Sequence, residues 1–530
     1  MQQLTNFHQT KSTLMKKMIR LLLIPSALLI LTPFSCKKSI ANRTANLPAL
    51  DASNEDLSAG TWKPILLPRP DTFAVAVPAA TNSTSYIAEL NEIKGYQHNL
   101  TTEDQQNIKY WIAGGVLRWN EIMRGLVAKY NLPPYQNPDG SYPIPNSNNP
   151  FAYPLFPFSN PPYAARAYAY VSAAQYDALI ACWHYKSLYN RPTPNKVDSS
   201  VKSWVPGTGL SSYPSEAAVL AGVTAEMMKL LFPDEIANIQ VLATQQEQAN
   251  IMAGVAARSD IVAGEALGRQ VADLFIARGR ADNAGKAVGT PTNWTNFVTQ
   301  TIAKGNTPWY SLESPQRPPM LPLFGSVKSF LLDSATVASL IPDPPPTVGS
   351  AQMTTETQEV YSYIKNPSRD NIRIVQFWAD GAGTYTPPGH WNAIASEDFI
   401  KQNFSEVRWA RNMALLNITL MDAAIVCWST KYLYFNARPT QLNPSIKTLT
   451  GIPNFPSYIS GHSTFTGAAA TVLGHIIPSR ADAYMQMAQE ASLSRLLGGL
   501  HFRSDITIGL TVGQNVGAFA VQRAQIDGAE

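Results

Sequence analysis

The chain has 530 residues, with 41 Lys and Arg against 37 Asp and Glu, a formal charge of +4, 45 % hydrophobic and only 15 % charged residues. Ordinary soluble domains carry about 25 % charged residues, so the composition excludes a disordered polyelectrolyte and a charge-driven nucleic-acid binder. The three cysteines, Cys36, Cys182 and Cys427, stand at no metal-ligand or redox-motif spacing and give no disulfide framework.

At the N-terminus, Lys16, Lys17 and Arg20 precede an apolar run over 21–31 that is too short for a comfortable membrane span. Ser35 followed by Cys36, Lys37 and Lys38 resembles the cleavage site of bacterial lipoproteins, in which the cysteine is lipidated. Pro33 stands where that pattern has Leu, and an ordinary secretory cut near the same place is the other reading. Both export the mature chain to a bacterial cell envelope, either lipid-anchored through Cys36 or periplasmic or secreted. Residues 1–35 are read as signal and 36–82, rich in Ala, Asn, Ser, Thr and Pro, as flexible linker.

Helical patterning begins at 83, with Tyr86, Ile87 and Leu90 on one face. Thr101 and Asp104 form a capping box for a second helix expected to run towards 130. A Pro-, Asn- and Tyr-rich loop over 132–162 follows. The segment 163–184, apolar all round except for Arg166, Gln175 and Asp177, reads as a buried helix. Amphipathic helices follow over 215–231, 234–253 and 259–278, and Pro- and Gly-rich 281–350 reads as irregular. Helices resume over 355–364, 369–378, 391–402, 404–434, 461–477, 480–497 and 504–525. No alternating run builds a sheet and no internal repeat recurs at a fixed period. The expected architecture is all-α: two packed helical bundles with long irregular loops, an N-terminal region over 83–350 and a C-terminal domain over 351–530.

Three C-terminal segments gather the residue types of an oxyanion site. Lys431 and Arg438 are seven apart, on one face if the helix holds between them, with Pro439 ending it; a basic last turn complementing the helix dipole is the simpler reading. Ser460 and Gly461 precede a helical run, where free N–H groups cradle anions, and His462 stands at its rim as an acid/base. Arg495 and His501 flank Gly498-Gly499, which frees both to turn to one place. Asp505, four residues beyond His501, either orients the imidazole or caps the last helix.

In this order the three segments resemble the signature of the type 2 phosphatidic acid phosphatase (PAP2) and vanadium haloperoxidase superfamily. The resemblance implies a helical fold of that type and an enzyme in which Lys431, Arg438, Ser460, Gly461 and Arg495 hold vanadate, or phosphate in the same site. It further implies His501 as vanadium ligand or phosphoryl acceptor and His462 as acid/base, with Lys431 polarising the bound substrate. Ile459 departs from the Pro common before Ser-Gly-His in haloperoxidases. Trp428 and Phe455 resemble the aromatic pair beside vanadate in fungal chloroperoxidases and bacterial iodoperoxidases, and are halide-pocket candidates; ordinary core aromatics are the alternative.

The favoured activity is vanadate-dependent oxidation of halide by hydrogen peroxide to hypohalous acid, with an organic acceptor as a further expected partner. A PAP2-type acid phosphatase working through a phosphohistidine is the second reading, and a non-catalytic anion-binding surface lipoprotein the third. No nucleic acid is expected as partner, and membrane contact only through the lipid anchor. The loop over 381–391 could wall the site through Tyr385 or His390, and Asp380 and Asp422 could pair with its arginines.

Overall fold

The computed structural model describes residues 46–131, 160–206, 210–312 and 316–530. The signal segment, Cys36 and nearly all of the 132–162 loop lie outside the described residues. Ser83 caps α1 (Thr84–His98), and the Thr101–Asp104 capping box opens α2 (Thr102–Trp111). The helix expected to continue towards 130 stops there, because Gly114 takes a φ of 125° that L side chains avoid. α3 (Gly115–Tyr130) starts anew, its Gly115 and Val116 N–H groups donating to the Glu406 carboxylate at 2.9 and 2.7 Å.

The other principal helices of the first half are α4 (Pro161–Tyr189), α5 (Glu216–Leu231), α6 (Ile236–Met252) and α7 (Arg258–Arg280). α8 (Pro291–Ala303) interrupts the stretch expected to be irregular; Thr290 caps it and Pro291 sits at its first position, where no N–H is missed. The second half contains α9 (Ala351–Lys365), α10 (Arg369–Phe377), α11 (Thr386–Phe399), α12 (Glu406–Tyr434), α13 (Gly461–Ile476), α14 (Ala481–Leu497) and α15 (Arg503–Gln525). Among the described residues there is no strand, only a lone bridge between Pro308 and Asn436. The fold is all-α.

Residues 48–82 are not a free linker. Ala59, Trp62 and Leu67 are buried, and the Asp177 carboxylate on α4 accepts the N–H groups of Ile65, Leu66 and Leu67 at 2.6, 2.7 and 2.8 Å. One buried acid satisfies three backbone donors, which ties down a segment that has no helical period of its own. Residues 48–530 form one compact unit.

Contrary to the absence of repeats expected from sequence, the chain is an internal duplication. Every boundary of α4, α5, α6 and α7 recurs 245 residues later in α12, α13, α14 and α15. Buried polar contacts recur with them. Arg166 Nε donates to Asp282 at 2.7 Å as Arg411 Nε does to Asp527 at 2.7 Å, and Asp422 accepts from Phe330 and Leu331 as Asp177 does from residues 65–67. The surviving sequence trace is Cys-Trp at 182 and 427, Arg-Pro at 191 and 438, and Arg-Ser-Asp at 258 and 503.

Each half packs its helices through glycine. A Cβ on Gly268 would collide with the Val219 carbonyl oxygen, and one on Gly513 with that of Thr464. Gly513→Ala is therefore expected to force α13 and α15 apart and cost about 1–3 kcal/mol. Gly95→Ala, with open space around it on α1, should be neutral or stabilising by up to about 1 kcal/mol. Thermal unfolding followed by circular dichroism compares the two, and an unchanged Tm in Gly513→Ala would count against this packing.

Candidate active site

α12 ends at Tyr434 because Phe435 adopts a left-handed conformation with φ 45°. Lys431 and Arg438 therefore do not share one helix face as their spacing suggested, and Pro439 opens the short helix Pro439–Leu442 instead of ending the long one. They converge by another route, onto the turn at 455–457. Lys431 Nζ donates to the carbonyls of Pro456 and Ser457, both at 2.8 Å. Arg438 Nε donates to Phe455 O at 2.9 Å and its Nη1 to Leu500 O at 2.8 Å, with His501 Nε2 3.4 Å from Nη1.

Ser460 caps α13, its Oγ accepting from Ser463 N while its own N–H donates to Asp505 O at 3.0 Å. A Cβ on Gly461 would meet the Trp428 and Phe465 rings at 3.7 and 4.0 Å, ordinary contact distances, so this first helical residue faces the aromatic wall of the pocket. α14 ends at Leu497, and Gly499 at φ 76° turns the chain so that Arg495 and His501 reach the same pocket. Asp505 plays both parts weighed for it. Its Oδ2 accepts from Phe502 N at 3.1 Å, capping α15, and from Ser457 Oγ, and it lies 2.9 Å from His501 Nδ1. A carboxylate there places the proton on Nδ1 and leaves Nε2 as the acceptor nitrogen, facing Arg438 Nη1 at 3.4 Å.

Seven candidates, Lys431, Arg438, Ser460, Gly461, His462, Arg495 and His501, are thus brought together. Four of them, Gly461, His462, Arg495 and His501, line a narrow pocket of ≈ 30 Å³ whose walls include Trp428, Phe455, Phe465 and Pro387, while Lys431 and Arg438 are buried behind it on the 455–457 turn. The Trp428 and Phe455 rings lie 5.1 Å apart, with Lys431 Nζ 5.0 Å from the Phe455 centroid, so the aromatic pair belongs to this pocket.

Burial in this positive surrounding decides the protonation states. Desolvation pushes Lys431 down to about 7, Arg438 to about 9 and Arg495 to about 10. The same desolvation, followed by the charges of Arg438 and Lys431, holds His501 well below its usual range, so its imidazole is neutral. His462 is likewise held down, by burial first and then by Arg495. Asp505 is pushed up to about 6 by burial, against the pull of Ser457 and Lys431. Arg495 Nη2 is buried with no acceptor among the described residues. Such a donor beside two further buried cations and a helix start fits a small oxyanion.

Residues 411–527, which hold all seven, match the PAP2 superfamily. This stretch is a PAP2-superfamily domain. The fold around it is similar to a crystal structure of the first bacterial vanadium-dependent iodoperoxidase, with 23 % identity and a TM-score of 0.55 over 71 % of this chain and 94 % of that one. It is also similar to a holo-type bacterial vanadium-dependent chloroperoxidase, at 12 % identity and a TM-score of 0.48 over 73 % and 97 %. No curated protein gives a significant match.

Outside the PAP2 stretch, Asp380 was singled out only as an arginine partner. Its φ of 45° carries the carboxylate to His390 Nδ1 at 2.9 Å and to within 3.7 Å of His462 Nε2, which itself lies 3.5 Å from Arg495 Nη1. Asp422 does not reach the site, since its oxygens accept backbone N–H groups of Phe330 and Leu331. The 381–391 segment becomes helical at Thr386; Pro387 walls the pocket and His390 stacks on Trp378 at 4.6 Å. Ser457, which shares Asp505 with His501, carried no signal beyond its place in the motif.

Proposed function

We propose that the protein is a vanadate-dependent haloperoxidase. The carrying observation is a cluster of three buried cations, of which Arg495 lines a pocket that also presents the neutral His501 imidazole with Nε2 as its acceptor nitrogen. Lys431, Arg438 and Arg495 would hold the oxyanion's charge, the Ser460–Gly461 helix start would add backbone donors, and His501 Nε2 would bind its central atom. Vanadate, when bound, supplies Lewis acidity that activates hydrogen peroxide towards a halide. His462, near the rim and 3.7 Å from Asp380 at Nε2, would take the peroxide's proton there. The protonated Lys431 ammonium, fixed by two carbonyls, polarises the substrate oxygen.

The narrow, aromatic-walled pocket favours this reading, because it admits peroxide and halide more readily than the organic group of a phosphate ester. The phosphatase reading uses the same neutral His501 Nε2 as nucleophile, with His462 protonating the leaving group. Vanadate-loaded protein should oxidise iodide or bromide with peroxide and leave an aryl phosphate intact; hydrolysis without halide oxidation would reverse the choice.

Oxyanion affinity should also titrate with Lys431. The free group loses its proton above about 7, whereas a bound oxyanion favours the ammonium and raises its pKa. Binding then takes up a proton, and affinity falls by about tenfold per pH unit above that point. Vanadate titrations of wild type and Lys431→Met isolate this slope from the oxyanion's own ionisation. Parallel curves for the two proteins would exclude Lys431 from binding.

A further inference from the structure

The duplication puts a second pocket in the first half at the position the oxyanion pocket holds in the second. Trp183, Glu216, Ala217, Asn250 and Ala256 line it, where Trp428, Gly461, His462, Arg495 and His501 line the other. The scaffold persists in Lys186 for Lys431, Arg191 for Arg438, Ser215 for Ser460 and Asp260 for Asp505. The chemistry does not, since both imidazoles and the second arginine have been replaced by alanine and asparagine.

The charge is inverted as well. Glu216 stands at the position of Gly461, and its carboxylate lies 3.2 Å from Lys186 Nζ. An internal anion thus neutralises the buried ammonium. Arg191 is drawn away onto Asp260, with its guanidinium 4.9 and 4.5 Å from the Tyr86 and Tyr213 rings. Glu55 and Glu406 also line the pocket, so three carboxyl groups face one ammonium. Glu406 is held by the Gly115 and Val116 N–H groups, while Glu55, half-buried, meets the repulsion of Glu216. Trp111 and Trp183 add aromatic wall. The pocket, partly open to solvent, has a volume of ≈ 160 Å³, close to the cavity of about 150 Å³ that accommodates a benzene-sized guest.

We propose that this pocket is a second ligand site that takes a small organic cation, a primary alkylammonium, with its charge against Glu55 and its hydrocarbon against Trp111 and Trp183. Lys186 matches the Glu216 charge and burial pushes Glu406 up to about 7, which leaves Glu55 as the carboxylate without a cation of its own, and aromatic faces and a carboxylate are the partners an ammonium seeks. The site is independent of what the second-half pocket binds.

Calorimetric titration of the full chain with butylammonium, butan-1-ol and butyrate tests it. Butylammonium should bind at one equivalent, at least about tenfold more tightly than the neutral isostere, and butyrate should not bind. Glu55→Gln should weaken butylammonium by at least about tenfold, and Ala217→Trp, which fills the cavity, should remove it. Both variants should keep the wild-type vanadate titration, which separates a blocked pocket from a misfolded chain; Ala217→Leu replaces Ala217→Trp if that variant does not fold. Equal affinity for butan-1-ol, wild-type affinity in Glu55→Gln, or no binding at roughly millimolar concentration would each overturn the proposal.

Discussion

Replacing His501 with alanine is expected to remove oxyanion binding and turnover together, with activity lowered on the order of 10³-fold or more, the upper range seen when one preorganised charge-stabilising group is lost. The reason lies in how many constraints converge on this one ring. Gly499 turns the chain to present it, Asp505 fixes Nδ1 at 2.9 Å, and burial beside Arg438 and Lys431 keeps it neutral. Alanine leaves three buried cations without the lone pair that would bind the central atom. Vanadate titration and peroxide-dependent halide oxidation read the two effects separately, and urea unfolding checks the fold. Because neutral His501 contributes no charge of its own, the variant should stay folded. A His501→Ala protein that binds vanadate as wild type and still turns over would place the ligand elsewhere.

The site was legible in sequence because its chemistry sits in three short segments whose residue types are unusual in a chain with few charges. Their route to one another was not. Nothing at Phe435 announces a left-handed residue, since neither Gly nor Pro stands there, so the end of α12 and the separate approach of Arg438 could be seen only in the fold. Asp380 was visible as an acid but not as the partner of His390 and His462, because its reach depends on its own positive φ. The strap over 48–82 read as linker, for it is held by the distant Asp177 and not by any local period.

The duplication escaped for a related reason. A repeat displaced by 245 residues and present in only two copies has no short period to detect, and what it conserves is scaffold: Lys186, Arg191, Ser215 and Asp260 recur, while His462 and His501 do not. The clearest trace was Arg-Ser-Asp at both 258 and 503. Sequence reading weighted toward chemistry passes over positions whose role is to cap a helix or bury an ion pair.

Those paired positions give an internal control for the second large effect. Asp505 and Asp260 each accept a backbone N–H at the start of their helix, from Phe502 and Ala257, and a serine hydroxyl, from Ser457 and Ser212. They differ in the third partner, which is His501 in one half and Arg191 in the other. Asp260→Asn should therefore cost about 3–5 kcal/mol, by leaving the Arg191 guanidinium buried without its counter-ion, with activity per folded molecule unchanged. Asp505→Asn should instead lower oxyanion affinity or kcat/KM by about 10–100-fold, because an amide no longer dictates which ring nitrogen of His501 carries the proton. The acid side of the pH profile separates the two further. Asp505 takes up a proton as pH falls through about 6, so wild-type activity should decline there as His501 loses its anionic partner, and Asp505→Asn should lack that decline. Urea unfolding with kcat/KM measured from pH 5 to 8 tests the pair; equal loss of activity in both variants would mean that Asp505 acts only as scaffold.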